Sequence, residues 1–391
     1  MERFDTIVVG AGPAGSTTAY RLARAGARVL LLDRARFPRD KPCGGGLTAR
    51  ALRELPFGVE SVVEDAATRF ELRLGYGRGF ERRTFEPLVV LTQRSRLDEY
   101  LAGRATAAGA EFRDGARVTA VEADDHGVTA TVSGERIGAA ALIGADGANG
   151  LVARSAGLAH EVEHGVALEG NIALRHVDEA RFRGRLILHL SAVPGGYSWV
   201  FPKGDHVNVG VGGWGGEGPR LRVHLDRLCA AHGLRTEHLE SVRGHRLPMR
   251  RPGARLSRGR IALVGDAAGL VDPLTGDGMY EAFLSGRLAS EATLDLLAGR
   301  TGTLEPYGER VGVTLARLAS ASWGLKVALD RYPRLAFAAV RLPPVWPVIE
   351  AVTRGDLTHP GAARGAARGP LRFLRTLASR AGDPGRRFRP A

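Results

Sequence analysis

Residues 5–33 constrain this chain more than any other stretch. Asp5-Thr6-Ile7-Val8-Val9-Gly10 is a short β-rich run, Ala14 to Ala25 is a helical stretch closed by Gly26, and Arg28 to Asp33 is a continuous apolar run ending on a carboxylate. Gly10-Ala11-Gly12-Pro13-Ala14-Gly15 joins the first run to the helix as a G-x-G-x-x-G. In that context Gly10 makes the tight turn, Gly12 lets a pyrophosphate approach the backbone, and Gly15 lets helix pack on strand. The helix start offers unpaired N–H groups and the positive end of its dipole to phosphate oxygens. Asp33, eighteen residues beyond Gly15, is placed to accept bonds from ribose hydroxyls and to repel a 2′-phosphate. A strand–turn–helix–strand–Asp unit of this kind predicts a dinucleotide at the edge of a parallel sheet. These residues alone leave NAD and FAD both open.

The remaining pattern is an α/β domain interrupted twice by β-rich sequence. Residues 67–90 alternate, with scattered Arg and Gly, as antiparallel strands do. A helix is predicted over Ser95 to Gly109, a hairpin over Arg117 to Val132, and buried strands at Ala140 to Gly144 and Arg260 to Gly265. Residues 160–250 are again strand-rich, and a long helix is predicted from Met279 to Leu297. The expected organisation is a Rossmann-like dinucleotide domain of 1–66, 91–158 and 252–300, interleaved with a β-rich substrate domain of 67–90 and 159–251. A helical C-terminal region, 301–391, ends in a basic tail.

Composition narrows the class. Two cysteines, Cys43 and Cys229, make no disulfide framework, and no run of eighteen apolar residues is present. A reducing cytoplasm, without a signal peptide or membrane span, is expected. The net charge is +13, and residues 360–391 carry eight Arg against Asp383 alone. That tail reads either as a solvated end or as contact with an anionic surface. Leu335 to Val348, rich in Leu, Val, Phe and Trp346, supplies apolar anchors beside it, which favours a bilayer over nucleic acid. No His/Cys group has metal-ligand spacing, and His189 and His245 read as structural.

Further segments place chemistry at strand and helix ends. Asp146 in Ala145-Asp146-Gly147 and Asp266 in Gly265-Asp266-Ala267 each follow a buried strand, where open α/β sheets bind ligands. Asp266 can hold a polyol hydroxyl. Gly276-Asp277-Gly278-Met279 opens the long helix, whose N–H groups and dipole can stabilise negative charge on a reduced flavin. Lys41-Pro42-Cys43-Gly44-Gly45-Gly46-Leu47 puts one thiol among three glycines. It reads either as a tight turn with a small apolar Cys, or as a backbone approach to a ligand with a thiol proton donor. Tyr197-x-Trp199-x-Phe201 sets three rings on one strand face by period-two spacing, as core packing or as a ligand wall. Gly212-Gly213-Trp214-Gly215-Gly216 lacks a βαβ context and reads as a glycine-rich strand end.

Gly10 to Gly15, Asp33, Ala145-Asp146-Gly147 and Gly265-Asp266 together resemble the FAD-binding fold shared by aromatic hydroxylases, flavin halogenases and geranylgeranyl reductases. Thr92-Gln93-Arg94-Ser95-Arg96-Leu97-Asp98 is similar to that group's Arg-x-x-Phe-Asp segment, with Leu97 replacing Phe, which implies that Arg94 contacts flavin. Lys41 to Leu47, Tyr197 to Asp205 continuing into Asn208 to Gly212, and Gly276 to Ala282 with Ser285-Gly286 narrow the resemblance to the geranylgeranyl reductase family, which saturates isoprenoid double bonds with reduced FAD. The expected cofactor-binding residues are Gly10, Gly12, Ala14, Gly15, Asp33, Cys43, Gly44, Gly46, Arg94, Val118, Asp146, Asp266, Gly278 and Met279. Cys43 is the expected catalytic proton donor, and Tyr197, Trp199 and Phe201 the wall for a hydrophobic prenyl substrate. NAD(P)H or a ferredoxin-like donor protein is expected to supply electrons. An FAD monooxygenase or halogenase on the same scaffold, and a non-catalytic flavoprotein or membrane-docking module, are the alternatives.

Overall fold

The computed structural model describes residues 1–159, 162–250 and 253–381. Four strands of the first sheet bury their apolar runs on both faces and read in parallel: Val29–Leu32, Glu2–Val9, Glu135–Gly144 and Ile261–Leu263. Glu111–Arg113 adds a further parallel strand beside Val29–Leu32. The hairpin Val118–Ala123 and Val128–Val132 pairs antiparallel with Glu135–Gly144. Helices Pro13–Arg24, Arg94–Ala107 and Met279–Leu297 pack together over this sheet. The long helix has the predicted bounds.

A second, seven-stranded sheet runs Glu240–Arg250, Val162–Ala173, His206–Trp214, Tyr197–Lys203, Arg185–Leu190, Arg69–Leu74 and Gly79–Arg83. It is antiparallel except where Arg69–Leu74 lies parallel to Arg185–Leu190. Two faces follow from the two-residue period. Val200, Val207, Val209 and Val211 face the helix Leu221–Ala231 and bury a core with Leu225 and Leu228. On the other face Trp199 stands opposite Gly210. A Cβ on Gly210 would fall 2.0 Å from the Trp199 ring, so the glycines of Asn208-Val-Gly-Val-Gly make room for the aromatic strand. The strand His206–Trp214 ends in the glycine-rich segment as expected.

A three-stranded sheet, Gly46–Thr48, Val89–Thr92 and Val63–Ala67, connects the two. It turns the end of the Cys43 segment into a strand and so fixes that segment between the larger sheets. The C-terminal region forms helices Glu305–Arg331, Pro333–Arg341, Trp346–Arg354 and Arg368–Ala381. Here the apolar stretch Leu335 to Val348 departs from its expected role as free anchors. Ala336, Phe337, Ala339, Val340, Val345 and Val348 are buried, and only Leu335 and Leu342 among its large apolar residues are well exposed. Phe337 packs on Phe80 and Trp346 on Phe70, each at 5.5 Å, so the apolar stripe covers the second sheet. The arginines at 386, 387 and 389 lie outside the described residues.

Candidate active site

One cavity of about 1050 Å³ runs from the first βα turn to the aromatic strand and on to the C-terminal helices. Of the expected cofactor residues, Gly10, Gly12, Ala14, Asp33, Cys43, Gly44, Gly46, Arg94, Val118, Asp146, Asp266, Gly278 and Met279 line it, as do Tyr197, Trp199 and Phe201. Gly15 lies beneath instead. A Cβ there would fall 1.8 Å from the Gly10 carbonyl oxygen, so Gly15 serves helix-on-strand packing.

At one end the helix Pro13–Arg24 begins with no side-chain cap and no acidic residue in its first turn. Its leading N–H groups therefore face the cavity unclaimed by side chains. Asp33 accepts the N–H groups of Ala11 and Ala35, both at 2.9 Å, which fixes its carboxylate at the cavity edge with lone pairs to spare. Arg94 is buried and holds Asp98 with two bonds of 2.8 Å. Burial works against its charge, but Asp98 more than compensates and keeps the guanidinium firmly protonated. Arg39 closes on Asp98 from the other side at 2.9 Å. Asp146 accepts from Leu151 and Val152 backbone N–H groups at 2.6 and 3.0 Å. Its other oxygen, buried, has no partner, and burial raises its pKa.

In the middle, the Cys43 turn is gripped from two directions. Glu169 accepts the Cys43 N–H at 2.6 Å, and the Lys203 ammonium donates to the Cys43 carbonyl at 3.0 Å. Burial lowers Lys203 and raises Glu169, while each charge draws the other back toward ionisation. The Cys43 Sγ accepts the Gly45 N–H at 3.3 Å, which leaves its S–H free to donate. Phe201 and Trp199 lie against Gly44, where a Cβ would meet them at 3.0 and 3.4 Å. The Trp199 indole N–H bonds Asn208 at 2.7 Å, and Asn208 bonds Asn171 at 2.9 Å, so the ring is held in place.

Two expectations change in detail. Asp266 lies in the cavity wall, but its carboxylate already carries the Lys41 ammonium at 2.8 Å and His245 at 3.6 Å. Although burial acts against it, the Lys41 ammonium and the His245 contact hold Asp266 well below the usual carboxylate range. His245 is thus part of the cavity wall rather than merely structural, whereas His189 is buried with His232 at 2.7 Å. At the long helix, the Met279 N–H is taken by the Asp277 carboxyl at 2.8 Å. Any anion reaching that helix end shares it with Asp277, whose pKa burial pushes up to about 6.

The chain matches the FAD binding domain family over residues 3–283. It is 36% identical over 310 residues to the menaquinone reductase of Mycolicibacterium smegmatis, covering 74% of this chain and 76% of that one. It is 35% identical over 321 residues to digeranylgeranylglycerophospholipid reductase 1 of Methanopyrus kandleri (75% and 81%), and 32% identical over 332 residues to the geranylgeranyl diphosphate reductase of Rhodobacter capsulatus (78% and 81%). The chain belongs to the geranylgeranyl reductase family of FAD-dependent oxidoreductases. A geranylgeranyl bacteriochlorophyll reductase-like protein of Thermoplasma acidophilum shares the fold, with a TM-score of 0.77 over 96% of each chain at 23% identity. A flavin-dependent brominase also shares it, at a TM-score of 0.78 and 18% identity.

The residues of this reductase fit FAD. The uncapped helix start suits a pyrophosphate, Asp33 a ribose, and the unpartnered Asp146 oxygen a donor on the cofactor. Sequence reasoning did not find Glu169, Lys203, Lys326 or His245. One signal was present. The chain has three lysines among 55 basic residues, at 41, 203 and 326. Lys41 and Lys326 line the cavity, and Lys203 holds the Cys43 turn. A buried ammonium shifts its pKa readily, as burial lowers Lys203 and Lys326 here, whereas the buried guanidinium of Arg94 keeps its charge.

Proposed function

We propose that this oxidoreductase saturates carbon–carbon double bonds of an isoprenoid chain. The observation that carries the reading is continuity. The space beside the dinucleotide-binding turn passes under Tyr197, Trp199 and Phe201 into a slot lined by Phe70, Leu72, Leu186, Leu188 and Trp346. Such a wall suits a long apolar chain and excludes water from it. FAD held at the dinucleotide turn, Asp33 and Arg94 would, once reduced, supply hydride for one alkene carbon. The Cys43 S–H delivers a proton to the other carbon, and Glu169 and Lys203 keep its turn in register with the aromatic wall. The relatives' names point to the same substrate class. NAD(P)H or a ferredoxin-like protein serves as electron source. Among the described residues no second dinucleotide-binding unit exists for NAD(P)H.

The working surface is an anionic bilayer. Arg368, Arg372, Arg375 and Arg380 are exposed on the helix Arg368–Ala381, whose Leu374 and Leu377 turn inward. Exposed arginines of this kind favour anionic lipid. No single described helix is long and apolar enough to cross a membrane.

The test is mass spectrometry of prenylated substrates after incubation with chemically reduced protein, with and without oxygen. A gain of two hydrogens in the absence of oxygen is the expected result. A gain of one oxygen atom, seen only in air, replaces the reductase reading with a monooxygenase.

A further inference from the structure

Lys326 lies in the cavity wall at the end remote from the dinucleotide turn. It is 7% exposed. Its ammonium donates to the Gly195 carbonyl and sits 4.3 Å from the centre of the Trp214 ring. Among the described residues no carboxylate comes within ion-pair distance of it. Asp330, one turn further along the same helix, spends its oxygens on the Gly195 N–H at 2.7 Å and the Trp214 indole N–H at 3.3 Å. A buried ammonium has three donors. A backbone carbonyl and an aromatic face leave capacity for one more acceptor, and the cavity is where that acceptor arrives.

We infer, on the isoprenoid reading above, that Lys326 binds a ring-carbonyl oxygen of an uncharged, quinone-type head group carried by the prenyl chain. Charge decides against a diphosphate. Among the described residues, the charged groups acting on Lys326 are Asp330 and Asp272, both acidic. Among the described residues, the other Lys and Arg side chains lining the cavity sit on segments 34–41, 94, 117 and 154, around the dinucleotide turn, or, in Arg243, pair with Asp40. One ammonium beside two carboxylates balances a neutral oxygen acceptor and leaves a diphosphate without countercharge. Burial lowers Lys326 to about 8, so it is mostly protonated at neutral pH and loses its proton in mildly alkaline solution.

The position also sets a distance. Gly195 is four residues before Trp199, whose ring lies against Gly44. Gly195 lies in the turn that leads into the strand Tyr197–Lys203, so the fold fixes that separation. A head group held at Lys326 therefore presents one particular double bond to the Cys43 turn.

The experiment uses the FAD-loaded full chain and three ligands of equal prenyl length: a prenylated naphthoquinone, a prenylbenzene without oxygen, and a prenyl diphosphate. Binding is followed by tryptophan fluorescence, and the position of reduction by mass spectrometry. In the unaltered protein the quinone binds roughly 10- to 100-fold more tightly than the prenylbenzene, the gain expected of one charged hydrogen bond. The quinone is reduced at one position and the prenylbenzene at several. Lys326→Met removes the quinone's advantage and scatters its reduction, Lys326→Arg restores part of both, and quinone affinity falls as pH rises through about 8. Equal binding of quinone and prenylbenzene by the unaltered protein, or tightest binding of the diphosphate, overturns the inference even if every ligand is reduced. Failure to reduce any of them refutes the isoprenoid reading instead, while the binding series still judges Lys326.

Discussion

Alanine at Gly45 tests whether the Cys43 turn is wedged as tightly as the geometry says. Gly45 has φ +75°, and a Cβ there would fall 2.1 Å from the Thr92 carbonyl oxygen and 2.9 Å from the Lys203 Nζ. The turn cannot simply back away, because the Thr92 N–H and hydroxyl both donate to the Gly45 carbonyl, at 2.9 and 3.1 Å. A left-handed alanine costs about 1–2 kcal/mol, and forced overlap in a packed site adds about 1–3 kcal/mol. Gly26 supplies the control: its φ is +90° and nothing lies within 4 Å of its Cβ position, so Gly26→Ala carries the conformational term alone. Both variants are to be melted with FAD bound, and their flavin content measured. At about 2 °C per kcal/mol, Gly26→Ala loses roughly 2–4 °C and keeps its flavin, whereas Gly45→Ala loses roughly 4–10 °C and retains less. Equal melting temperatures with equal flavin content would show that the wedge has no energetic consequence.

Three further outcomes are expected. Cys43→Ser keeps FAD bound but slows alkene reduction about 100-fold or more, the usual worth of a positioned proton donor; unchanged turnover removes Cys43 from the chemistry. Asp277 has a pKa of about 6 when folded against about 3.9 in an unfolded chain. The folded protein thus holds the extra proton, and stability falls as pH rises from about 4 to 6, by up to about 3 kcal/mol. Asp277→Asn flattens that part of the profile measured on apoprotein, and an unaltered slope contradicts the assignment. Removal of residues 360–391 reduces flotation with anionic liposomes but not with neutral ones; equal flotation of both forms denies the tail a role.

The dinucleotide-binding unit was legible because its signals are local: one strand, one turn, one helix and one strand occupy residues 2–32. The face shared by Tyr197, Trp199 and Phe201 followed from strand periodicity, and the start of the long helix followed from Gly276-Asp277-Gly278. What stayed hidden depends on contacts far apart in sequence. Glu169 reaches Cys43 from 126 residues away, and Lys41 reaches Asp266 from 225 residues away. Nothing local to either partner specifies such a pairing. Leu335 to Val348 shows a second limit. An amphipathic stripe records that a helix must cover something apolar, and the same stripe serves a bilayer or, as here, the outer strands of the second sheet. The rarity of lysine was visible, but its meaning came only when Lys41 and Lys326 were seen lining one cavity and Lys203 holding its Cys43 turn.

One continuous cavity joins the dinucleotide-binding turn to the aromatic slot. The most direct measurement is a single turnover without oxygen, in which photoreduced protein is mixed with a prenylated quinone and the flavin absorbance is followed. The yellow colour is expected to return as one double bond per flavin is saturated, and the same quinone ring with its prenyl chain already saturated is expected to leave the flavin reduced. Reoxidation of the flavin by that saturated analogue, with the prenyl chain of the normal substrate recovered unchanged, would contradict transfer from the flavin to the prenyl chain.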